Sequence, residues 1–167
     1  MIPVPGALGA RDLVAWRIDH ASFASTWDSG EGSFLYGGRW NSPGVRAVYC
    51  SLDASTAILE VAVHKTFRVL DTVPHVLTAL RVNDVLSVHV VHPSNVPDTN
   101  WLRPGNPGAS QQAFGDSLLA SHKFILIPSA VSPHCSNLIF DAARAKGDYV
   151  LELQEPFTLD PRLRPPP

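Results

Sequence analysis

The chain has 167 residues, 45% of them apolar, and a formal charge of -2. That length supports one domain with a real core and is short for two. The near-neutral balance excludes a strong global attraction to nucleic acid or an anionic membrane, and no apolar run approaches the roughly 20 residues of a membrane-spanning helix.

Residues 1–12, rich in Pro and Gly at their start, read as a loose N-terminal arm. The opening Met1-Ile2-Pro3-Val4-Pro5-Gly6 lacks the basic start and apolar stretch of a signal peptide, so a cytoplasmic protein is expected. The domain proper is expected over 13–160. Val14 to Ile18 reads as its first strand. The run Gly37-Gly38-Arg39-Trp40-Asn41-Ser42-Pro43-Gly44 reads as a tight turn between two strands, with the glycines letting the backbone bend sharply before Arg39. Arg46 to Ser51 alternates, with Ala47, Tyr49 and Ser51 facing one way and Val48 and Cys50 the other.

The strongest helix runs from Asp53 to about Phe67. Asp53 is its cap, because a carboxylate there accepts from the free N–H groups of the first turn. Ala54, Ala57, Ile58, Val61 and Ala62 make its apolar stripe, and Glu60 and His64 share a face beside it. Pro74 to Val82 and Val85 to Val91 read as strands. Residues 92–108, with many Pro, Asn and Gly, read as a long irregular loop of the kind that serves as a lid or binding loop. A second helix is expected over Ala109 to His122 with Phe114, Leu118 and Leu119 inward. Strands follow at Phe124 to Ile127, Leu138 to Phe140 and Tyr149 to Leu153. Residues 161–167 read as a flexible tail that forms neither helix nor ladder, because proline lacks the donor.

About seven strands and two main helices, poorly alternated, give an α+β class: a single compact domain with a mixed, mainly antiparallel sheet. Cys50 and Cys135 are the only cysteines. Two buried thiols are the expectation, with a disulfide left open. Of seven histidines only His89 and His92 lie close, without a third ligand at sensible spacing, so no metal is expected. Gly37-Gly38 lacks the third glycine and following helix of a dinucleotide fingerprint. No Lys/Arg run interleaved with aromatics points to nucleic acid.

Arg39, Tyr49 and Glu60 stand ten and then eleven residues apart on turn, strand and helix. Each has a simple structural reading. Arg39 could pack on Trp40, Tyr49 could be a core residue with its hydroxyl at the rim, and Glu60 could pair with His64 or Lys65. The surrounding run is more specific. Gly37-Gly38-Arg39-Trp40-Asn41, Ser42-Pro43-Gly44, Arg46-Ala47-Val48-Tyr49-Cys50-Ser51, Leu52-Asp53-Ala54-Ser55 and Ala57-Ile58-Leu59-Glu60-Val61-Ala62-Val63-His64 together resemble the RES domain family. Ile127-Pro128-Ser129-Ala130-Val131-Ser132-Pro133 is similar to its serine motif and Trp16-Arg17-Ile18 to its opening strand. The resemblance covers about Trp16 to Glu155. One departure is Asn137-Leu138-Ile139-Phe140-Asp141-Ala142, which lacks the family's Asn-Pro pair.

The resemblance implies an ADP-ribosyltransferase-like fold and the toxin half of a bacterial toxin–antitoxin pair. It implies NAD as substrate, with cleavage of the nicotinamide–ribose bond and transfer of ADP-ribose to water or phosphate. It also implies a cognate helix-turn-helix (Xre-type) antitoxin in a hetero-oligomer with the toxin. The residue types suit that chemistry. An arginine fork such as that of Arg39 pairs phosphate oxygens, and the Tyr49 ring suits flat nicotinamide. The Glu60 carboxylate suits ribose hydroxyls and the growing oxocarbenium charge. Ser129 reads as a ligand-binding hydroxyl or a turn serine, and Arg17 as a second phosphate arginine or a strand-edge salt bridge. Asn137 reads as a ligand contact or a turn residue. Two other functions stay open: a mono-ADP-ribosyltransferase that modifies a specific protein, and a non-catalytic interaction module on the same fold.

Overall fold

Residues 12–163 are described in this computed structural model, and seven strands among them form one sheet. These are β1 (Leu13–His20), β2 (Val48–Ser51), β3 (His75–Val82), β4 (Val88–Val90), β5 (Phe124–Pro128), β6 (Ser136–Phe140) and β7 (Tyr149–Phe157), in the order β4-β5-β6-β2-β1-β3-β7. Only β4 and β5 pair in parallel; the other neighbours are antiparallel. The class is therefore α+β with a mixed, mainly antiparallel sheet. No described helix is long and apolar enough to cross a membrane. Of the arm expected over 1–12, all but Asp12 lies outside the described residues, as do residues 164–167 of the tail.

Alternation places the core on both faces of the sheet. Val48, Cys50, Leu126, Leu138 and Phe140 pack together in one cluster. Ala47, Ile125, Ile127 and Ile139 pack in another, with Tyr49 against them. A strand covered on both faces carries no polar side, which is why β5 and β6 are buried along their whole length. Each such Leu, Ile or Phe contributes about 1.5–3 kcal/mol.

Three α-helices are described: α1 (Glu31–Tyr36), α2 (Ala54–Thr72) and α3 (Ala109–Ser121). Asp53 caps α2 as expected, accepting from the Thr56 N–H at 2.8 Å and the Thr56 hydroxyl at 2.7 Å. The helix runs beyond Phe67 across a kink at Thr66, where φ is 69°. Other expectations change. The strand expected before the Gly37–Gly44 turn is the short helix α1, and the strand pairing there shrinks to one bridge between Gly38 and Asn41. Val85–Ser87 is a 3-10 turn rather than strand, because the Asp84 side chain caps Leu86 N–H at 2.9 Å. The loop over 92–108 holds 3-10 turns at Pro93–Asn95 and Thr99–Leu102. Pro161–Leu163 is a 3-10 turn as well: proline suits a first helical position, and Asp160 accepts from the Arg162 and Leu163 N–H groups.

Two features position the site. β1 and β2 pair only at Trp16 and Ser51, so the sheet opens beyond that point. Helix α3 comes against the Arg39–Asn41 turn at Gly115, where a β-carbon would lie 1.9 Å from the Trp40 carbonyl oxygen. Backbone on both sides leaves that contact no room to relax. Gly115→Ala is therefore expected to lower the unfolding free energy by about 3 kcal/mol, read by urea denaturation. An unchanged midpoint would show that α3 can retreat from the turn without cost.

Candidate functional site

The opening between β1 and β2 forms a cavity of about 730 Å³. That is the size of a small-molecule or cofactor site. Arg17, Arg39, Tyr49, Glu60 and Asn137 all line it; Ser129 does not. The fold thus brings five of the six candidate residues to one wall-to-wall cleft, although they come from β1, the turn after α1, β2, α2 and β6.

Arg39 projects from a turn built around Gly37, Gly38 and Asn41. Gly37 has φ 73°, the left-handed region that favours glycine. A β-carbon on Gly38 would meet Asn41 Oδ1 and the Tyr49 hydroxyl, each at 2.7 Å. Asn41 is fully buried. Its Nδ2 donates to the carbonyls of Ser33, Ser42 and Val45, and its Oδ1 accepts from the Tyr49 hydroxyl at 2.7 Å. The same hydroxyl accepts from the Trp40 N–H at 3.0 Å. Burial raises the Tyr49 pKa well above the ordinary phenol range, so it stays a neutral hydroxyl. What Tyr49 offers the cavity is its ring, since its oxygen is occupied in clamping the turn.

The Arg39 guanidinium is not packed on the surface. Nη1 donates to the Trp101 and Arg103 carbonyls at 3.2 and 3.3 Å, and Nη2 to the Gly105 carbonyl at 2.7 Å. These bonds pin the 92–108 loop to the site and use three of the group's five donor hydrogens. The remaining two, on Nε and Nη2, suffice for a bidentate grip on an anion. Burial lowers the Arg39 pKa while the Glu60 charge works the other way, which places that carboxylate within electrostatic reach.

Glu60 does not pair with His64 or Lys65. Its Oε1 accepts from Asn137 Nδ2 at 2.7 Å and from the Ser129 hydroxyl at 2.8 Å. Both bonds fall on one oxygen, leaving Oε2 free of them. Ser129 follows β5, and its oxygen also accepts from the N–H groups of Val131 and Ser132 at 3.2 and 3.0 Å. One donor and two acceptor sites are the whole capacity of a hydroxyl. In this structure the Ser129 hydroxyl is committed to Glu60 and to its own turn, a turn serine whose hydroxyl faces inward. Asn137 is not in a turn; it lies in β6, directly opposite Ser51 of β2.

Arg17 makes a salt bridge, but on an interior strand. Nε and Nη2 donate to the two Asp19 oxygens at 2.7 and 2.6 Å, and Nη1 to the Tyr49 carbonyl at 3.0 Å. Desolvation opposes its charge, yet Asp19 outweighs it and the pKa rises. Three of the five donor hydrogens of Arg17 are thus spent inside the protein, two on Asp19 and one on the Tyr49 carbonyl across the opening. Asp19 and Asn41 had no role in the sequence reading. Asp19 was detectable, since residues two apart on a strand share a face.

Both cysteines are free. Burial pushes the Cys50 thiol up to about 12, so it is no nucleophile. Among the described residues no group of three or more His, Cys, Asp or Glu could hold a metal, and His89 instead stacks on His122 at 3.8 Å.

Comparison with known proteins places this geometry in context. The model of a family described as the RES domain matches residues 14–160. The chain is 32% identical over 149 residues to "Toxin Res" of Yersinia enterocolitica, covering 84% of this chain and 92% of that protein. It is 32% identical over 158 residues to "Prs ADP-ribosylating toxin" of a Sphingobium species, covering 89% and 94%. Its fold is similar to a chain of the M. tuberculosis MbcT-MbcA toxin–antitoxin complex, with a TM-score of 0.71 at 20% identity, covering 89% of this chain and 85% of that one.

The Tyr49 clamp is testable without any ligand. Tyr49→Phe keeps the ring but leaves the Trp40 N–H and buried Asn41 Oδ1 without their partner. We expect a loss of about 2 kcal/mol in thermal or chemical unfolding. Wild-type stability in the variant would show that the hydroxyl does not hold the turn.

Proposed function

The chain belongs to the RES domain family, and on that premise we propose that it is a toxin that consumes NAD by cleaving the nicotinamide–ribose bond. The observation that carries this reading is Glu60: a carboxylate fixed by two donors on the wall of a large cavity that it shares with Arg39 and Tyr49. Nicotinamide leaves NAD as a neutral molecule from a cationic pyridinium, so the site needs no acid to expel it. It needs an anion beside the ribose, where positive charge grows in an oxocarbenium-like transition state. Glu60 supplies that anion already oriented, so no reorganisation is required as the charge develops. The two uncommitted donors of Arg39 suit a pyrophosphate, and the Tyr49 ring suits the nicotinamide face. Asn137 and Ser129 act by holding Glu60, and Arg17 by holding the strand that carries Tyr49. Residues 13–160 form the active domain.

The ADP-ribose acceptor is water or phosphate on this reading. A second reading keeps the cleavage and changes the acceptor to a cellular protein. It is favoured by the likeness to an ADP-ribosylating toxin and by apolar side chains along the cavity: Tyr36 is 81% exposed, Phe23 58% and Leu35 52%. Such a rim suits a macromolecular surface. The likeness to a toxin–antitoxin complex supports a protein antitoxin as partner; we propose that this partner is of the Xre helix-turn-helix type and that the pair acts in the cytoplasm.

Purified protein incubated with NAD is expected to release nicotinamide. Glu60→Gln keeps size and hydrogen-bonding capacity but removes the charge, and should slow release by about a hundredfold or more with the melting temperature unchanged. Turnover near the wild-type rate would remove Glu60 from the chemistry. Label from adenine-labelled NAD on a protein band would select the second acceptor. Co-expression with the product of the adjacent gene should yield a copurifying complex that releases no nicotinamide; a complex with full turnover would contradict occlusion of the cleft.

A further inference from the structure

The Asn137 amide that holds Glu60 is itself held. Ser51 Oγ donates to Asn137 Oδ1 at 3.0 Å, while Asn137 Nδ2 donates to Glu60 Oε1 at 2.7 Å. An ionised carboxylate only accepts, so Asn137 must turn its NH2 end toward Glu60 and its oxygen toward the sheet. That oxygen belongs to a nearly buried pair: Ser51 is 2% exposed and Asn137 8%. Without a donor it would be a buried, unsatisfied acceptor, and the amide would be anchored at one end only.

Ser51 is well placed for the task. It faces Asn137 directly across the β2–β6 ladder, and its backbone forms the single pair that joins β2 to β1 before the cleft opens. Its backbone is thus fixed from both sides. A chain of two donors, hydroxyl to amide to carboxylate, also polarises each bond in the same direction, which strengthens both.

We infer that Ser51 is a positioning residue for Glu60, acting through the Asn137 amide. The inference rests on the NAD-cleaving reading for its kinetic consequence but not for its geometry. Ser51 also borders the cavity, so the competing view is direct contact with the ligand.

The test compares Ser51→Thr with Ser51→Val. The two have nearly the same shape and differ in the hydroxyl. In the first arm, the side-chain amide of Asn137 is followed by 1H–15N NMR in the absence of NAD. The wild type and the Thr variant should share a shifted, slowly exchanging signal that the Val variant loses. In the second arm, with NAD as the probe, the Val variant should lose about tenfold in kcat with KM within about twofold, and Thr should restore kcat to within about threefold. In an Asn137→Ala background the Val substitution should have no further effect on kcat, because its route to Glu60 is gone. If the added branch unfolds both variants, Ser51→Ala against wild type carries the same expectations. Equal kcat for Thr and Val, a change confined to KM, or an unmoved Asn137 signal would each overturn the proposal. A wild type that shows the amide signal but releases no nicotinamide would remove the NAD-cleaving reading and leave the positioning role standing.

Discussion

A strand that leaves its neighbour must find other partners for its backbone, and this constraint organises the molecule. β1 and β2 pair once, at Trp16 and Ser51, and then separate. The Tyr49 carbonyl, which the ladder would otherwise satisfy, accepts instead from Arg17. Arg17 can remain in that half-buried place because both Asp19 oxygens pair with one edge of its guanidinium, through Nε and Nη2. The gap so maintained is the cavity. A fully zipped sheet would have no room for a ligand; a gap with unmet carbonyls would be too costly to persist.

Everything around the gap is then held from a second direction. Glu60 comes from a helix but is oriented by the ends of two strands. Arg39 comes from a turn but is oriented by carbonyls of a loop more than sixty residues away in sequence. Tyr49 comes from a strand but spends its hydroxyl on the turn that carries Arg39. Each group of the site is thus tied to an element other than its own, and none depends on a single flexible side chain. Groups fixed before the ligand arrives act on developing charge without first paying to reorganise, which is the physical sense of a preorganised site. The same arrangement explains why glycine is required at positions 38 and 115, where another backbone or a buried hydroxyl lies too close for a β-carbon.

Much of the scaffold was legible in the order of residues alone, and for local reasons. The alternation over 46–51 sorted Tyr49 from Cys50 to opposite faces of the sheet. Asp53 announced the start of α2 because the cap is chemistry between neighbours three residues apart. The apolar runs at 124–127 and 138–140 announced strands, and the fold covers both of their faces. The short helix α1 was not legible: six residues with a glycine among them carry too little period to separate helix from turn. The boundaries of the elements near 85 and 161 depended on aspartate caps that compete with strand and coil.

The site divides along the same line. Residue type and spacing alone left Arg39, Tyr49 and Glu60 with ordinary structural readings; the resemblance of the whole run from Gly37 to His64 to a known family is what brought them forward as a set. What each atom does was decided by contacts that no local pattern encodes. Ser129 meets Glu60 across 69 positions and Asn137 meets it across 77. Those distances are why both could be read from the sequence as ligand or turn residues, and why only the folded sheet, which brings the ends of β5 and β6 beside α2, makes them supports for a carboxylate. By itself the sequence determined the seven strands, the two long helices, the class of fold and, through its resemblance to a known family, the candidate groups. The tertiary structure decided which hydrogen bonds are spent inside the protein and which remain for a ligand, since a hydroxyl, an amide or a guanidinium has a fixed number of bonds to give and only three-dimensional neighbours can claim them.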